Sequence, residues 1–94
     1  MITLGGKYRR LDKLTRMMTR ANDAYRATGR EARARRARIA RVQLRLSNAR
    51  ATEVTRLHAT GISLAVIGAH LDDTDPYRHG VPDNRPVRQS GATR

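Results

Sequence analysis

The chain has 94 residues, enough for one small domain. It contains no Cys, Phe or Trp, which excludes a disulfide framework and a thiolate metal site and leaves a core of Leu, Ile, Val, Met and Ala. The net charge is +12, so we expect polyanionic partners, and a core this poor favours folding assisted by a partner.

The positive charge is concentrated between Lys7 and Arg45. This stretch has 14 Lys and Arg against three acids, a net charge of +11, whereas the rest of the chain contributes +1. Eighteen of the 20 basic residues are Arg, whose planar guanidinium suits phosphates and guanine edges. Codon bias in a GC-rich genome would explain the preference for Arg over Lys, but it would not explain the clustering.

In chain order, we predict four segments. Residues 1–6 form a flexible start, because paired glycines before Lys7 oppose an early helix. Residues 7–46 form a basic helical segment, residues 47–80 a helix-turn-helix-like module, and residues 81–94 a flexible tail rich in Gly, Pro and polar side chains. The predicted fold class is all-α, with a long or kinked N-terminal helical segment followed by the small module.

Apolar side chains recur at three- and four-residue intervals in the basic segment, which predicts amphipathic helices. The stripe continues in heptads across Gly29 to Leu46. One interpretation is a long helix in a coiled coil. The other is a hairpin bent at Gly29, which we prefer because Gly costs about 1 kcal/mol inside a helix. A short strand at residues 42–46 is a minor alternative. The first part of the stripe contains Tyr8, Leu11, Leu14, Met18, Ala21 and Tyr25.

The stretch from Arg30 to Arg45 contains a single acid, Glu31. Its like charges therefore lack the i,i+4 partners of an ordinary solvated helix face. We interpret the stretch as a phosphate-binding surface, with a merely solvated surface as the alternative. The predicted nucleic-acid-binding residues here are Arg30, Arg33, Arg35, Arg36, Arg38, Arg41 and Arg45.

The pattern from Ser47 to Leu71 predicts two short helices joined by a turn. Ser47 and Ser63 are placed to cap the two helices through their hydroxyls, and Gly61 is placed to take the left-handed conformation that ends the first. Gly68 offers a position where two helices can approach closely. The predicted apolar faces are Ala51, Val54 and Leu57 on the first helix, and Leu64, Ile67 and Leu71 on the second.

This module resembles the C-terminal helix-turn-helix DNA-binding domain of serine recombinases, the bacterial resolvases and DNA invertases. The family pattern of a Ser/Thr cap, LxxxG and I(A/G)xxL matches Ser47, residues 57–61 and residues 67–71. In the family, basic residues ahead of the domain reach the minor groove, and the RARRAR run at residues 33–38 is similar to such an arm.

The family's next helix reads DNA and often carries a Tyr-Arg pair, which Tyr77 and Arg78 match here. The resemblance therefore implies DNA contacts by Tyr77 and Arg78, and we add Thr74 to them. Thr74 as cap and Pro76 in the first turn permit a helix start, but Gly80 leaves room for about one turn. Three aspartates between Leu71 and Pro76 also lie where phosphates would be. We therefore expect a third helix that is truncated or absent.

Our leading hypothesis is a DNA-binding accessory or regulatory protein of the phage or mobile-element kind, acting in recombination or transcription regulation and holding DNA mainly through Arg-phosphate contacts. We expect no enzymatic activity, because the family's nuclease domain has no room in 94 residues, and we expect neither a cofactor nor a metal. The expected partner is double-stranded DNA, with a homodimer or a larger protein partner left open and no membrane association. We expect the protein in the cytoplasm, associated with the nucleoid.

Two alternatives remain open at this point. The chain could be a protein-interaction module that docks by its apolar stripe, at Leu11, Leu14, Met18 and Tyr25, on a larger partner that handles DNA or RNA. It could also bind RNA or the ribosome, because the charge fits that partner equally well.

Overall fold

The computed structural model of the protein describes residues 4–78. Four α-helices follow one another: α1, Leu4–Lys7; α2, Arg9–Ala27; α3, Arg33–Ala59; and α4, Leu64–Thr74. The predicted all-α fold class is confirmed, and no strand forms within the described residues. The predicted flexible tail, Gly80 and Pro82 lie outside these residues. No helix in the described part of the chain is long and apolar enough to cross a membrane.

α2 and α3 form an antiparallel hairpin, joined by residues 28–32. Their contacts run in opposite chain order, since Asn22 accepts a hydrogen bond from Gln43 while Arg10 lies near Glu53. The preferred interpretation of a bend at Gly29 is thus confirmed, and the uninterrupted long helix is wrong. A break here allows two apolar stripes of one chain to cover each other, which an isolated long helix cannot do.

Two clusters of buried side chains hold the helices together. The first joins all three long helices and contains Leu11, Leu57, Ile67 and Leu71. The second lies between α2 and α3 and contains Leu14, Met18 and Leu46.

The apolar stripe predicted on α2 is thus part of the protein's own core. The prediction that Leu11, Leu14 and Met18 dock on a partner needs correction. Leu11 is fully buried, and Leu14 and Met18 are each 7 % exposed. A partner cannot reach these three side chains while the helices stay packed. Tyr25 is half-buried, and its contacts belong to the basic surface described below.

The prediction that a helix begins at Ser47 is wrong, because α3 runs from Arg33 to Ala59 without a break. Ser47 is exposed in the middle of this helix. An exposed Ser costs a helix only a fraction of a kcal/mol, roughly 0.5. Burial of Leu46 and Leu57 on either side outweighs that cost. α3 therefore crosses the predicted boundary between residues 46 and 47.

The predicted turn at Gly61 is confirmed. Gly61 has a φ of +111°, a conformation that side-chain-bearing residues rarely adopt. Its N–H donates to the carbonyl of His58, and the N–H of Ile62 donates to the carbonyl of Leu57, at 3.0 and 3.3 Å. This pair of bonds is a Schellman motif, which satisfies the last carbonyls of α3.

The start of α4 also follows the prediction, because the hydroxyl of Ser63 accepts a hydrogen bond from the N–H of Val66 at 3.1 Å. The close helix approach predicted at Gly68 is wrong. A Cβ placed there would meet nothing nearer than the Arg78 guanidinium, at 3.6 Å. Leu64, expected on the buried face, is 56 % exposed.

The chain start departs from the predicted flexible segment, since residues 4–7 form the single helical turn α1. One extra turn costs little beside an existing long helix, because the costly nucleus is already formed. Tyr8, directly before α2, stacks on His70 of α4 with the ring centroids 3.9 Å apart. This contact fixes the beginning of α2 against α4.

Candidate nucleic-acid interface

Three arginines form a row on an exposed flank of α3. Arg38, Arg41 and Arg45 recur at intervals of three and four residues, so they lie on one side of the helix. All three are exposed. They lie about 80° to 140° around the helix from Leu46, which is buried against α2, so the row occupies a flank of α3. At 1.5 Å per residue this row, the α3 stripe, is about 10 Å long.

The other predicted arginines lie around the start of α3. Arg30, Arg33 and Arg35 are exposed. Arg36 is held instead, because its Nη1 donates to the carbonyl of Thr28 at 2.8 Å and its guanidinium carbon lies 4.1 Å from the centre of the Tyr25 ring. A depression of about 480 Å³ is lined by Tyr25, Arg30, Arg33, Arg36, Ala37 and Ala40.

Within residues 4–78, acidic side chains do not compensate the positive charge of this surface. Residues 30–45 contain seven Arg and one acid, and none of these arginines forms an ion pair within the described residues. The first turn of α3 contains no acid, and no side chain caps it. The positive end of the helix dipole therefore adds to the charge of the arginines.

Acidic side chains instead contact partners that lie mainly in the second half of the chain, from Arg50 to Arg78. Glu53 is only 3 % exposed, and its two oxygens accept hydrogen bonds from Arg56 at 3.0 and 2.5 Å. These hydrogen bonds from Arg56 hold the pKa of Glu53 below its ordinary value, although burial of the carboxylate opposes the shift. Arg10 of α2 lies 3.8 Å from Glu53, and its positive charge also lowers the pKa of this carboxyl.

Two further carboxylates tie α4 and its C-terminal extension to the hairpin. Asp75 is 6 % exposed, and its Oδ2 accepts a hydrogen bond from Arg50 of α3 at 2.6 Å. Asp12 of α2 lies 2.6 Å from the Nε2 atom of His70. These contacts join residues 25 and 58 positions apart in the chain, so they stabilise the tertiary arrangement rather than any single helix.

Thr74 does not cap a third helix, and this prediction is wrong. It is the last residue of α4, and its hydroxyl donates to the carbonyl of His70 at 2.9 Å. Asp75 shapes the following turn, because its Oδ1 accepts a hydrogen bond from the N–H of Tyr77 at 2.9 Å. No helix follows α4 as far as Arg78, consistent with the expected truncation or absence of the third helix.

Tyr77 and Arg78 are engaged in contacts within the protein. The Tyr77 hydroxyl donates to Asp23 of α2; burial raises the pKa of Tyr77, and the hydrogen bond to Asp23 raises it further. The Nε of Arg78 donates to Asp72 at 3.0 Å. Reading of DNA bases by either side chain would require these contacts to break. The structure thus separates the residues predicted for base reading from the arginine surface.

Sequence reasoning missed a second basic row, on α2. Arg9, Lys13, Arg16 and Arg20 recur at intervals of four, three and four residues and are all exposed. None of them forms an ion pair within residues 4–78. We call this row the α2 stripe. The signal in the sequence is the three- and four-residue spacing of these basic residues, the same periodicity that predicts the apolar side of α2.

Compared with known proteins, the chain matches no family model, no curated protein and no solved structure. The resemblance to serine recombinases therefore stays a prediction from the sequence motifs, and the function has to be argued from the surface itself.

Proposed function

We propose that this chain binds double-stranded DNA through the arginine surface of α3. The observation that carries the proposal is the α3 stripe, an exposed row of arginines on a helix of 27 residues, which forms no ion pair with the acids of residues 4–78. Arg donates two parallel charge-assisted hydrogen bonds to a phosphate, and release of condensed counterions from DNA supplies much of the affinity. Without an anion, the clustered charges of this surface repel one another.

The dimensions of the surface suit a duplex. An α-helix fits the major groove, which is about 12 Å wide, and duplex DNA carries one negative charge per roughly 1.7 Å of its axis. A row about 10 Å long therefore faces several phosphates at once. Phosphate contacts give affinity and position, so any sequence preference would come from a few base edges or from groove width.

The biological setting is the part of the proposal that rests on the sequence resemblance. We place the chain among accessory or regulatory proteins of phages or mobile elements, close to the nucleoid. Catalysis has no part in this proposal, because the surface acts through charge and position alone.

Fluorescence anisotropy with a labelled duplex of about 20 base pairs tests the proposal, with salt varied from about 50 to about 300 mM. Phosphate contacts by the α3 stripe alone give a slope of log K against log salt near −3, and additional arginines make it steeper. An RNA duplex of the same sequence separates DNA binding from general polyanion binding. Absence of DNA binding at 50 mM salt would overturn the proposal.

A second candidate function, protein docking, is favoured by two exposed apolar side chains in the first turn of α4. Leu64 and Val66 are 56 % and 52 % exposed. They lie on the helix that packs only its Ile67 and Leu71 side into the core. A second copy of the chain is the simplest occupant to test. Sedimentation velocity of wild type and of a Leu64→Ser/Val66→Ser variant tests whether two copies associate through these side chains. A wild type that stays monomeric at high concentration excludes the homodimer.

A further inference from the structure

The hairpin of α2 and α3 has two open sides, and α4 covers one of them. On α2, α4 and the chain after it contact Tyr8, Asp12 and Asp23. On α3 the same elements meet Val54 and Arg50. α4 is the only other long helix in the described part of the chain, so no long helix there covers the second side. We call this second side the open face.

Three basic side chains of α2 lie toward the open face. Leu14 and Met18 pack against α3, so the midpoint between them gives the direction of α3. At about 100° per residue, Arg10, Lys13 and Arg20 lie about 60°, 120° and 140° around α2 from this midpoint. The three α2 side chains that contact α4 and the chain after it lie about 100° to 160° in the other direction.

The α3 stripe lies toward the same open face. Its arginines lie about 80° to 140° around α3 from Leu46, whereas Val54 and Arg50 lie about 80° and 40° from Leu46 in the other direction. Because α4 occupies the other side of both helices, the basic residues of α2 and those of α3 border the same side of the hairpin.

The helices α2 and α3 place no acid on the open face. Asp12 and Asp23, the two acids of α2, lie on the side of α4. Glu53, the acid of α3, is buried and accepts hydrogen bonds from Arg56. Exposed positive charge is thus concentrated on the open face, and the acids of these two helices are either buried or turned toward α4.

A single duplex can contact both helices on this face. Packed helices have axes about 8–10 Å apart, and the major groove alone of a duplex is about 12 Å wide. We infer that one duplex lies across the open face, where Arg10, Lys13 and Arg20 contact its phosphates together with the α3 stripe. This inference rests on the proposed DNA binding, and it extends that site from one helix to two.

The salt dependence of duplex binding tests the inference in three variants that each lose two positive charges. Lys13→Gln/Arg20→Gln changes α2 on the open face, and Arg38→Gln/Arg45→Gln changes α3 there. The control is Arg16→Gln/Arg26→Gln, at exposed positions on the back of α2 and on its α4 side. All replaced side chains are exposed and Gln is a good helix former, so the variants are expected to fold, which circular dichroism checks.

Anisotropy with a trace of labelled duplex should give wild type a slope of log K against log salt near −5, for about six phosphate contacts. Each open-face variant should reduce the magnitude of the slope by about 2, and the two sets of changes combined should reduce it by about 4. The control should leave the slope unchanged.

Three results overturn the inference. If the α3 variant reduces the slope and the α2 variant does not, the duplex contacts α3 alone, and the proposed function stands. Equal reductions in the α2 variant and the control would show an effect of net charge rather than of the open face. If wild type binds no duplex at about 50 mM salt, the proposed function fails together with the inference.

Discussion

Two regions of the molecule differ in whether their charged side chains form ion pairs. The basic region, residues 30–45, has seven Arg and one acid, a net charge of +6, and forms no ion pairs within the described part of the chain. The paired region, residues 50–78, has three Arg and four acids, a net charge of −1. Its three Arg all contact carboxylates of the same region, through Arg50–Asp75, Arg56–Glu53 and Arg78–Asp72.

This difference in ion pairing depends on which charged side chains the helix packing buries. Carboxylates that become buried where the helices meet need partners, because an unpaired buried charge is costly. Glu53 and Asp75 are such groups. The arginines of the basic region stay in solvent, where an unpaired charge costs little until like charges crowd together. The contacts of the paired region are therefore expected to contribute to stability, and binding is expected from the basic region. Substitutions should separate the two properties.

The largest expected loss of stability comes from the core of the paired region. Leu57 is 2 % exposed and belongs to the cluster that joins all three long helices. Leu57→Ala should lower the free energy of unfolding by about 3 kcal/mol, through lost burial and the cavity left behind. Urea unfolding measures the change. Leu44→Ala on the same helix is the matched control, because Leu44 is 64 % exposed, and it should change stability by less than about 0.5 kcal/mol.

Asp75→Asn should have the next largest effect. The change leaves Arg50, whose side chain is 20 % exposed, without the carboxylate that balances its charge. We expect a loss of about 2 kcal/mol in the free energy of unfolding. Asp73→Asn removes the same charge from an exposed position and serves as control. Equal effects of the two substitutions would show that the Asp75–Arg50 contact is not what holds the chain after α4.

Two glycine substitutions should have effects of opposite sign. Gly61→Ala places a side chain at a φ of +111° and should destabilise the protein by about 1 kcal/mol. Gly68→Ala should stabilise it by about 0.5 to 1 kcal/mol, because Gly68 lies inside α4 and its added Cβ meets only a flexible Arg78 side chain. Thermal unfolding compares the two variants, and a loss of stability in Gly68→Ala would contradict the packing described at that position.

The smallest effect is expected at acid pH. Glu53 has a pKa below its ordinary value of 4.5 in the folded protein, chiefly because of Arg56. Its contribution to stability is therefore fully present above pH 4.5 and is lost as the pH falls through the lowered pKa. Unfolding measured between about pH 6 and pH 3 should show a steeper acid loss for wild type than for Glu53→Gln. Identical pH profiles would show that Arg56 does not hold this carboxylate ionised.

Local signals in the sequence were enough for much of the fold. The apolar spacing of Leu11, Leu14 and Met18 predicted the buried side of α2, and Gly61 and Ser63 predicted the turn before α4. Each of these signals acts within a few residues of where it lies in the chain. The crowding of arginine at residues 30–45 likewise predicted an exposed basic surface, because such a density of one charge cannot be buried.

The errors arose where a distant contact decided the structure. Ser47 has the chemistry of a helix cap, but burial of Leu46 and Leu57 carries α3 through it. Thr74 was assigned as a possible cap of a third helix, whereas it is the last residue of α4, and the next residue, Asp75, contacts Arg50, 25 residues away. Partners this far apart in a single sequence leave no periodic or local signal.

The most direct measurement of the account's central claim is the salt dependence of DNA binding in two variants of equal charge. Arg38→Gln/Arg41→Gln removes two arginines of the basic region, and Arg56→Gln/Arg78→Gln removes two of the paired region. Circular dichroism must show that the second variant stays folded, because it leaves the buried Glu53 without Arg56. Screening over about 10 Å limits the effect of distant charges. The account predicts a slope of log K against log salt reduced by about 2 for the first variant and unchanged for the second. Equal slopes for the two variants would contradict it.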